Sequence, residues 1–273
     1  MIGIRPEEQR DALDFDMDVL MHLLTSDEPI SVETSRYKLV DARLQLDFYQ
    51  DPHPPIVAAA VVSPSGPRIA GKHGTGLISV GATMKAGVDV LAMHWDVVEE
   101  RAKEFGQTVS RDNWRVVGLM HLAETREKAF EDIRHGFKEW CDYLQNTAAA
   151  PQIQVSGDDF DGYIDWITNT GSAVIGTYKD AIEHIESLVE LSNGGFGNYL
   201  LFDHNWSNFA NKKHHYELFS EYVIPHFKRT NVRMKASEAS MRQVRAPLAQ
   251  AQQEAINDFR QRHDDEMKKK RGN

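Results

Sequence analysis

Ile56-Val57-Ala58-Ala59-Ala60-Val61-Val62-Ser63-Pro64-Ser65-Gly66 is the stretch whose reading decides the fold. Seven apolar residues in succession, with no polar alternation, predict a strand buried on both faces, as in a parallel sheet. The turn Ser63-Pro64-Ser65-Gly66 ends the strand, and Pro67 to Gly74 has room for two helical turns with proline near their start. Strand, turn and helix in close order form the repeating unit of an α/β fold.

The same alternation continues downstream. Leu77 to Val80 predicts a second strand, residues 85 to 105 a helix with Val88, Leu91, Trp95 and Val98 on one face, and Trp114 to Leu122 a third strand. Glu124 to Leu144 is expected as one long helix opened by Thr125. Residues 146 to 170, with Asp158, Asp159 and Asp161, are expected as a mobile insertion. Ala173 to Gly176 resumes order before a helix running to Leu191, where Thr177 and Asp180 have the spacing of a capping box. Gly194-Gly195-Phe196-Gly197 then leads into a last strand, Tyr199 to Phe202, and a closing helix over residues 214 to 228.

Upstream, residues 7 to 25 carry apolar side chains at helical spacing. Arg43 to Tyr49 alternates, and Asp51-Pro52-His53-Pro54-Pro55 forms a rigid lead into the decisive strand. From Arg229 onward, 11 Lys and Arg face 6 Asp and Glu, so residues 229–273 are expected as a basic helical extension with a frayed, solvated tail.

Composition removes several functional classes. A net charge of -10 over 273 residues opposes phosphate backbones, so nucleic acid is not the expected partner. Residues 56 to 62 form the longest apolar run, too short to span a membrane. The lone Cys141 allows no intrachain disulfide, and a cytoplasmic location is expected. No metal motif is present, since His214 and His215 are adjacent and face different ways on a helix. Gly66 to Lys72 nearly spells a nucleotide-binding P-loop, but His73 stands where the magnesium-binding Ser or Thr belongs.

Two places carry candidate chemistry. Ser63 and Ser65 offer hydroxyls, and Gly66 a backbone N–H, at a helix N-terminus, where a phosphate is stabilised; the same residues equally serve as an ordinary helix cap and tight turn. Asp203, His204 and Trp206 follow the last strand, at the sheet edge where α/β proteins bind ligands. They can border a cavity, or pack as a cap and a lid. His121, near the end of the third strand, reads as structural.

Taken together, Asp41-Ala42-Arg43-Leu44-Gln45-Leu46, Pro52-His53-Pro54-Pro55, Ser63-Pro64-Ser65-Gly66, and Gly194 to Gly197 running into Leu201-Phe202-Asp203 resemble the luciferase-like flavin monooxygenases, in their limonene monooxygenase-like branch. The resemblance extends from about Gly3 to Phe227. It implies a TIM (β/α)8-barrel type of fold. It also implies reduced FMN from a separate flavin reductase, oxygen as co-substrate and a small apolar organic substrate. The flavin phosphate would lie on the loop after the family's fifth strand, here Ser63, Ser65 and Gly66. A deazaflavin coenzyme in hydride transfer, or a non-catalytic remnant, are the alternatives.

If the strand at 56 to 62 is the family's fifth, residues 1–228 hold only the C-terminal half of a barrel, about four βα units where eight close the ring. No catalytic residue is then carried over. Such a half is expected to pair with a copy of itself or with an N-terminal half, or Met1 is an internal methionine of a longer gene.

Overall fold

A computed structural model describes residues 5, 7–82, 84–148, 155–228 and 232–271. The chain divides into two compact units, Met1–Phe219 and Ser220–Asn273, so the division falls upstream of the 228/229 boundary expected from composition. Residues 149–154 of the expected insertion, 229–231 at the expected start of the extension, and 272–273 lie outside the described residues.

The first unit opens with helix α1 (Gln9–Thr25) and an antiparallel hairpin of β1 (Ile30–Glu33) and β2 (Lys38–Ala42). The alternating stretch 43–49 is not a strand; it forms bends and irregular backbone after the hairpin. There follow β3 (Val57–Ala60), α2 (Ser65–His73), β4 (Gly76–Ala82), α3 (Lys85–Val88), α4 (Leu91–Glu104) and β5 (Trp114–Leu122). Beyond them come α5 (Arg126–Ile133), α6 (Phe137–Asn146), α7 (Phe160–Thr170), β6 (Ala173–Gly176), α8 (Tyr178–Leu191), β7 (Asn198–Leu201) and α9 (Phe209–Leu218).

Strands β3 to β7 form one parallel sheet. β3 pairs β4, β4 pairs β5, and β5 pairs β7 over Arg115–Gly118 and β6 over Leu119–Leu122. Because every pairing is parallel, the turns that follow the strands share one edge. The decisive stretch differs from expectation in two respects: the strand spans only Val57–Ala60 of the expected residues 56–62, and it alternates in exposure, with Val57 36 % exposed. Its only described partner is β4, so it lies at the end of the sheet instead of being covered on both faces.

Two apolar clusters cover the sheet. Leu77, Trp114 and Val116 pack with Ala70, Leu91, Trp95, Val98 and Leu188 from the helices, and the rings of Trp95 and Trp114 stack 5.3 Å apart. Leu119 packs with Ile133, Phe137, Cys141, Tyr163, Ile167 and Trp206. This second cluster explains two departures. Tyr163 and Ile167 bury the inner face of α7, and the Asp159 carboxylate accepts the Gly162 N–H at 2.9 Å as its N-cap, so the expected insertion is ordered over 160–170. The long helix expected over 124 to 144 breaks at Gly136, whose N–H donates to the Trp206 carbonyl at 2.9 Å. A Cβ there would lie 2.1 Å from the Asn205 carbonyl oxygen, so only glycine lets this loop approach. The helix expected over 85 to 105 is likewise interrupted, at Asp89-Val90.

The second unit holds most of a π-helical turn (Phe219–Val223), α10 (Ile224–Lys228) and the 40-residue α11 (Val232–Arg271). The helix runs through Pro247 and continues across the Lys268-Lys269-Lys270 end that was expected to fray. All its described side chains are exposed.

Candidate functional site

The turn after β3 places Ser63 and Ser65 together. The Ser63 hydroxyl oxygen accepts the Ser65 N–H at 3.3 Å, and the two hydroxyls lie 3.2 Å apart. Ser63 therefore supplies a local cap to α2, whose N-cap position is Pro64. Both serines also line an open cavity of about 240 Å³ with Arg10, Asp11, Asp14 and Arg68. Arg10 reaches across from α1 and donates its Nε to the Ser63 oxygen at 3.3 Å. The Asp14 carboxylate is engaged by Lys72 at 3.4 Å, and among the described residues Arg68 forms no ion pair.

Two guanidinium groups, two hydroxyls and the N-terminus of a nine-residue helix make a donor set that fits a phosphate group. The nearby carboxylates are the opposing term, which Lys72 offsets for Asp14. Gly66 is not in the cavity wall. It is buried, and a Cβ there would lie 2.3 Å from the Ala59 carbonyl oxygen, so its function in the fold is to let α2 sit against β3. It still carries one of the first-turn N–H groups that a helix leaves without an internal acceptor. The two arginines differ in how visible they are in the sequence. Arg68 sits in the helix just beyond the turn and was legible as a neighbour, whereas Arg10 is brought in from 53 residues away by the packing of α1.

The residues after β7 form a different environment at the same edge. Three strand spacings, roughly 14 Å, separate β7 from β3, and Asp203, His204 and Trp206 do not join the serine turn. Asp203 is exposed and accepts from Lys212 at 3.1 Å and Tyr216 at 3.1 Å. Trp206, expected at a cavity edge, is fully buried, meeting Phe137 and Trp140 edge-on at centroid distances of 4.9 and 5.1 Å. His204 stacks on Trp206 at 3.7 Å and donates Nε2–H to the Met120 carbonyl at 3.0 Å.

His204 belongs to a buried histidine group. His121 stacks with His215 at 5.7 Å and sits 3.4 Å from the Asp132 carboxylate, while His215 Nδ1 accepts the Leu122 N–H at 3.1 Å. Burial pushes His204 down to about 4 and His215 to about 3, so both are neutral at pH 7. Both ring nitrogens of His204 and the Nδ1 of His215 are spent on the backbone, which makes these two rings a structural buttress for the ends of β5 and β7, while His121 Nδ1 is buried without a hydrogen-bond partner. No trio of His, Cys, Asp or Glu is arranged to hold a metal ion among the described residues. Cys141 is fully buried and its thiol is pushed up to about 12, chiefly by burial.

Comparison with known proteins places this geometry in a family. Residues 2–209 match the luciferase-like monooxygenase family profile. Limonene 1,2-monooxygenase of Rhodococcus erythropolis is 40% identical over 231 residues, which cover 83% of this chain and 57% of the relative. The 4-hydroxyprotoasukamycin monooxygenase of Streptomyces nodosus subsp. asukaensis is 31% identical over 83% of this chain and 61% of its own length. This chain thus spans little more than half the length of the curated relatives it matches.

Among solved structures, the monooxygenase RslO1 from Streptomyces bottropensis superposes with a TM-score of 0.59 at 20% identity, covering 82% of this chain and 63% of that one. The FMN-bound oxygenating constituent of 3,6-diketocamphane monooxygenase from Pseudomonas putida gives 0.52 at 22% identity, covering 82% and 66%. These likenesses assign the fold as a TIM-barrel type, here with five parallel strands among the described residues. With a family match over most of its length and a relative at 40% identity, the chain belongs to the luciferase-like monooxygenase family.

Proposed function

We propose that this chain supplies the flavin-phosphate corner of a flavin-dependent monooxygenase that uses reduced FMN and oxygen on a small apolar organic substrate. The observation that carries the reading is the convergence of Ser63, Ser65, Arg10 and Arg68 on one cavity at the helix N-terminus after β3. The protein's contribution there is to bind and orient. The two hydroxyls and the first-turn N–H groups of α2 direct hydrogen bonds at the phosphate, and the guanidinium groups balance its charge. Reduced flavin, when bound, supplies the oxygen activation, and a separate flavin reductase is its proposed source. A cytoplasmic setting suits the buried free thiol of Cys141. The bacterial relative's name supports an apolar substrate, since limonene is a hydrocarbon.

The test is a calorimetric titration of the chain with FMN and with riboflavin, which lacks the phosphate. FMN should bind and riboflavin should bind far more weakly. The double substitution Ser63→Ala with Ser65→Ala should weaken FMN by about 1 to 3 kcal/mol if its hydrogen bonds are charge-assisted. Equal binding of the two flavins, or an unaffected double variant, would show the turn to be a helix cap only. Turnover of a substrate without oxygen uptake would point instead to hydride transfer with a deazaflavin.

A further inference from the structure

Helix α11 buries none of its described side chains. The family match covers residues 2–209, so the helix lies beyond it, and nothing in the proposed flavin chemistry calls for it. At about 100° per residue, Met234, Met241, Val244, Leu248, Ile256 and Phe259 fall in one stripe roughly 120° wide. All six are exposed, Phe259 by 74 %. The opposite face carries Gln243, Gln250, Gln253, Asn257 and Gln261. Pro247 interrupts the backbone ladder midway along, a loss of about 3 kcal/mol that an unpacked helix has no burial to offset.

The charges of the helix are arranged to match a copy of itself. Residues 232–245 carry Arg233, Lys235, Arg242 and Arg245 against Glu238, a formal charge of +3, whereas residues 254–266 carry five carboxylates against Arg260 and Arg262, a formal charge of -3. A second α11 running antiparallel lays each half on its opposite, and a parallel one lays like on like. Reversal about Gln250 also matches the apolar residues, since Met241 meets Phe259, Val244 meets Ile256 and Leu248 meets Gln252. A two-fold interface is self-complementary, so each meeting occurs twice. At the flanks Glu238 then faces Arg260, and Arg233 faces Glu266. Glu238 and Glu266 already pair along the helix with Arg242 and Lys270, each at 2.6 Å, but such exposed pairs are weak and can be shared. Arg245 and Gln252 interrupt the stripe, and polar residues in a helical seam fix register and orientation.

We propose that α11 is a homodimerisation helix, its stripe from Met234 to Phe259 docking antiparallel on the same stripe of a second copy of this chain. Pairing covers the stripe that the single chain leaves exposed, and it stands whether or not the first unit binds flavin.

Analytical ultracentrifugation of the full chain should show a species of twice its 31.0 kDa forming as concentration rises, with the α11 amides, fast-exchanging in the dilute chain, slowing in step. Leu248→Asp with Phe259→Asp should raise the dimer dissociation constant roughly 100-fold or more, because pairing would bury unpartnered carboxylates. Both side chains are exposed in the single chain, so this variant should keep the near-ultraviolet circular dichroism of the first unit. Glu238→Lys should weaken the dimer roughly 3- to 10-fold, and adding Arg260→Glu should restore it. Nitroxides on added cysteines read the direction, since Cys141 is fully buried. Labels at Ala251→Cys should lie within about 20 Å of each other, and labels at Ser240→Cys roughly 30 Å apart, because reversal offsets position 240 from its own copy by about 20 residues at 1.5 Å each. Equal distances at the two positions would mean a parallel pair, and a dimer untouched by the two aspartates would mean contact elsewhere on the chain. A chain that stays monomeric, whether α11 folds against the first unit or sediments with anionic vesicles, would mean that no second copy covers the stripe. Each of these three results overturns the proposal.

Discussion

Gly66 shows how much one residue without a side chain can fix. The first turn of α2 sits so close to β3 that a Cβ would lie 2.3 Å from the Ala59 carbonyl oxygen, far inside contact distance. Gly66→Ala should therefore destabilise the first unit by about 1 to 3 kcal/mol, the usual cost of overpacking. It should also displace the serines from the cavity; urea unfolding followed by FMN titration reads both effects. Sequence reading found Gly66 for its backbone freedom, but the close approach that demands it is visible only with β3 in place. The histidines make the opposite case. His94, His204 and His215 are lowered by burial from the ordinary 6.5 to about 4, 4 and 3. The unfolded chain thus takes up their protons first, and the stability they contribute is complete above pH 6.5 and is lost as pH falls toward 4. His214, half-exposed, is raised because the Glu124 and Glu217 carboxylates outweigh its partial burial. An NMR pH titration should show His214 titrating above its ordinary value and the three buried rings silent above pH 5. Titration of any of the three near 6.5 would mean that its surroundings are wetter than their packing indicates.

At the scale of the element, caps and breaks separate what was legible from what was not. The capping box of α8 was readable from Thr177 and Asp180 because its determinants lie three residues apart, and the structure forms it. Its acid is shared with Arg126, which holds the Asp180 carboxyl down to about 2 with help from Thr177 and against partial burial. That contribution is present above about pH 4 and is lost as pH falls toward 2, so Asp180→Asn should lower the urea midpoint at pH 7 and lose less stability than the unaltered chain between pH 4 and 2. A midpoint at pH 7 unchanged by the substitution would show the ion pair and the cap to be redundant. The break at Gly136 could not be read locally, since the group that stops the helix is the Trp206 carbonyl, 70 residues away in sequence. Helix α7 was missed for the same reason: its polar N-terminal acids resemble a loop until Tyr163 and Ile167 find the aromatic cluster. The hairpin of β1 and β2 escaped because short, half-exposed strands leave only a weak periodic signal.

For the whole molecule, pairing sets the order of local stability. β5 is hydrogen-bonded to β4, β7 and β6 along its length and is almost wholly buried, whereas β3 has one described partner and an exposed face. Amide hydrogen exchange should therefore be slowest over Val116–Leu122 and measurably faster in β3, with α11 fastest because its described side chains bury nothing. A β3 as protected as β5 would reveal a partner along its free edge, such as a second copy of the chain. The sequence by itself determined the α/β class, the positions of β5, β6 and β7 to within a residue or so, the serine turn and the family resemblance. Each of these rests on neighbours in the chain, through apolar runs, turn chemistry and ordered motifs. Tertiary structure alone decided that Arg10 joins Arg68 and the two serines, that Trp206 is core and not lid, and that His94, His204 and His215 are neutral at pH 7. Those properties depend on which distant surfaces exclude water from one another, and burial and cross-chain contact leave no local pattern to read.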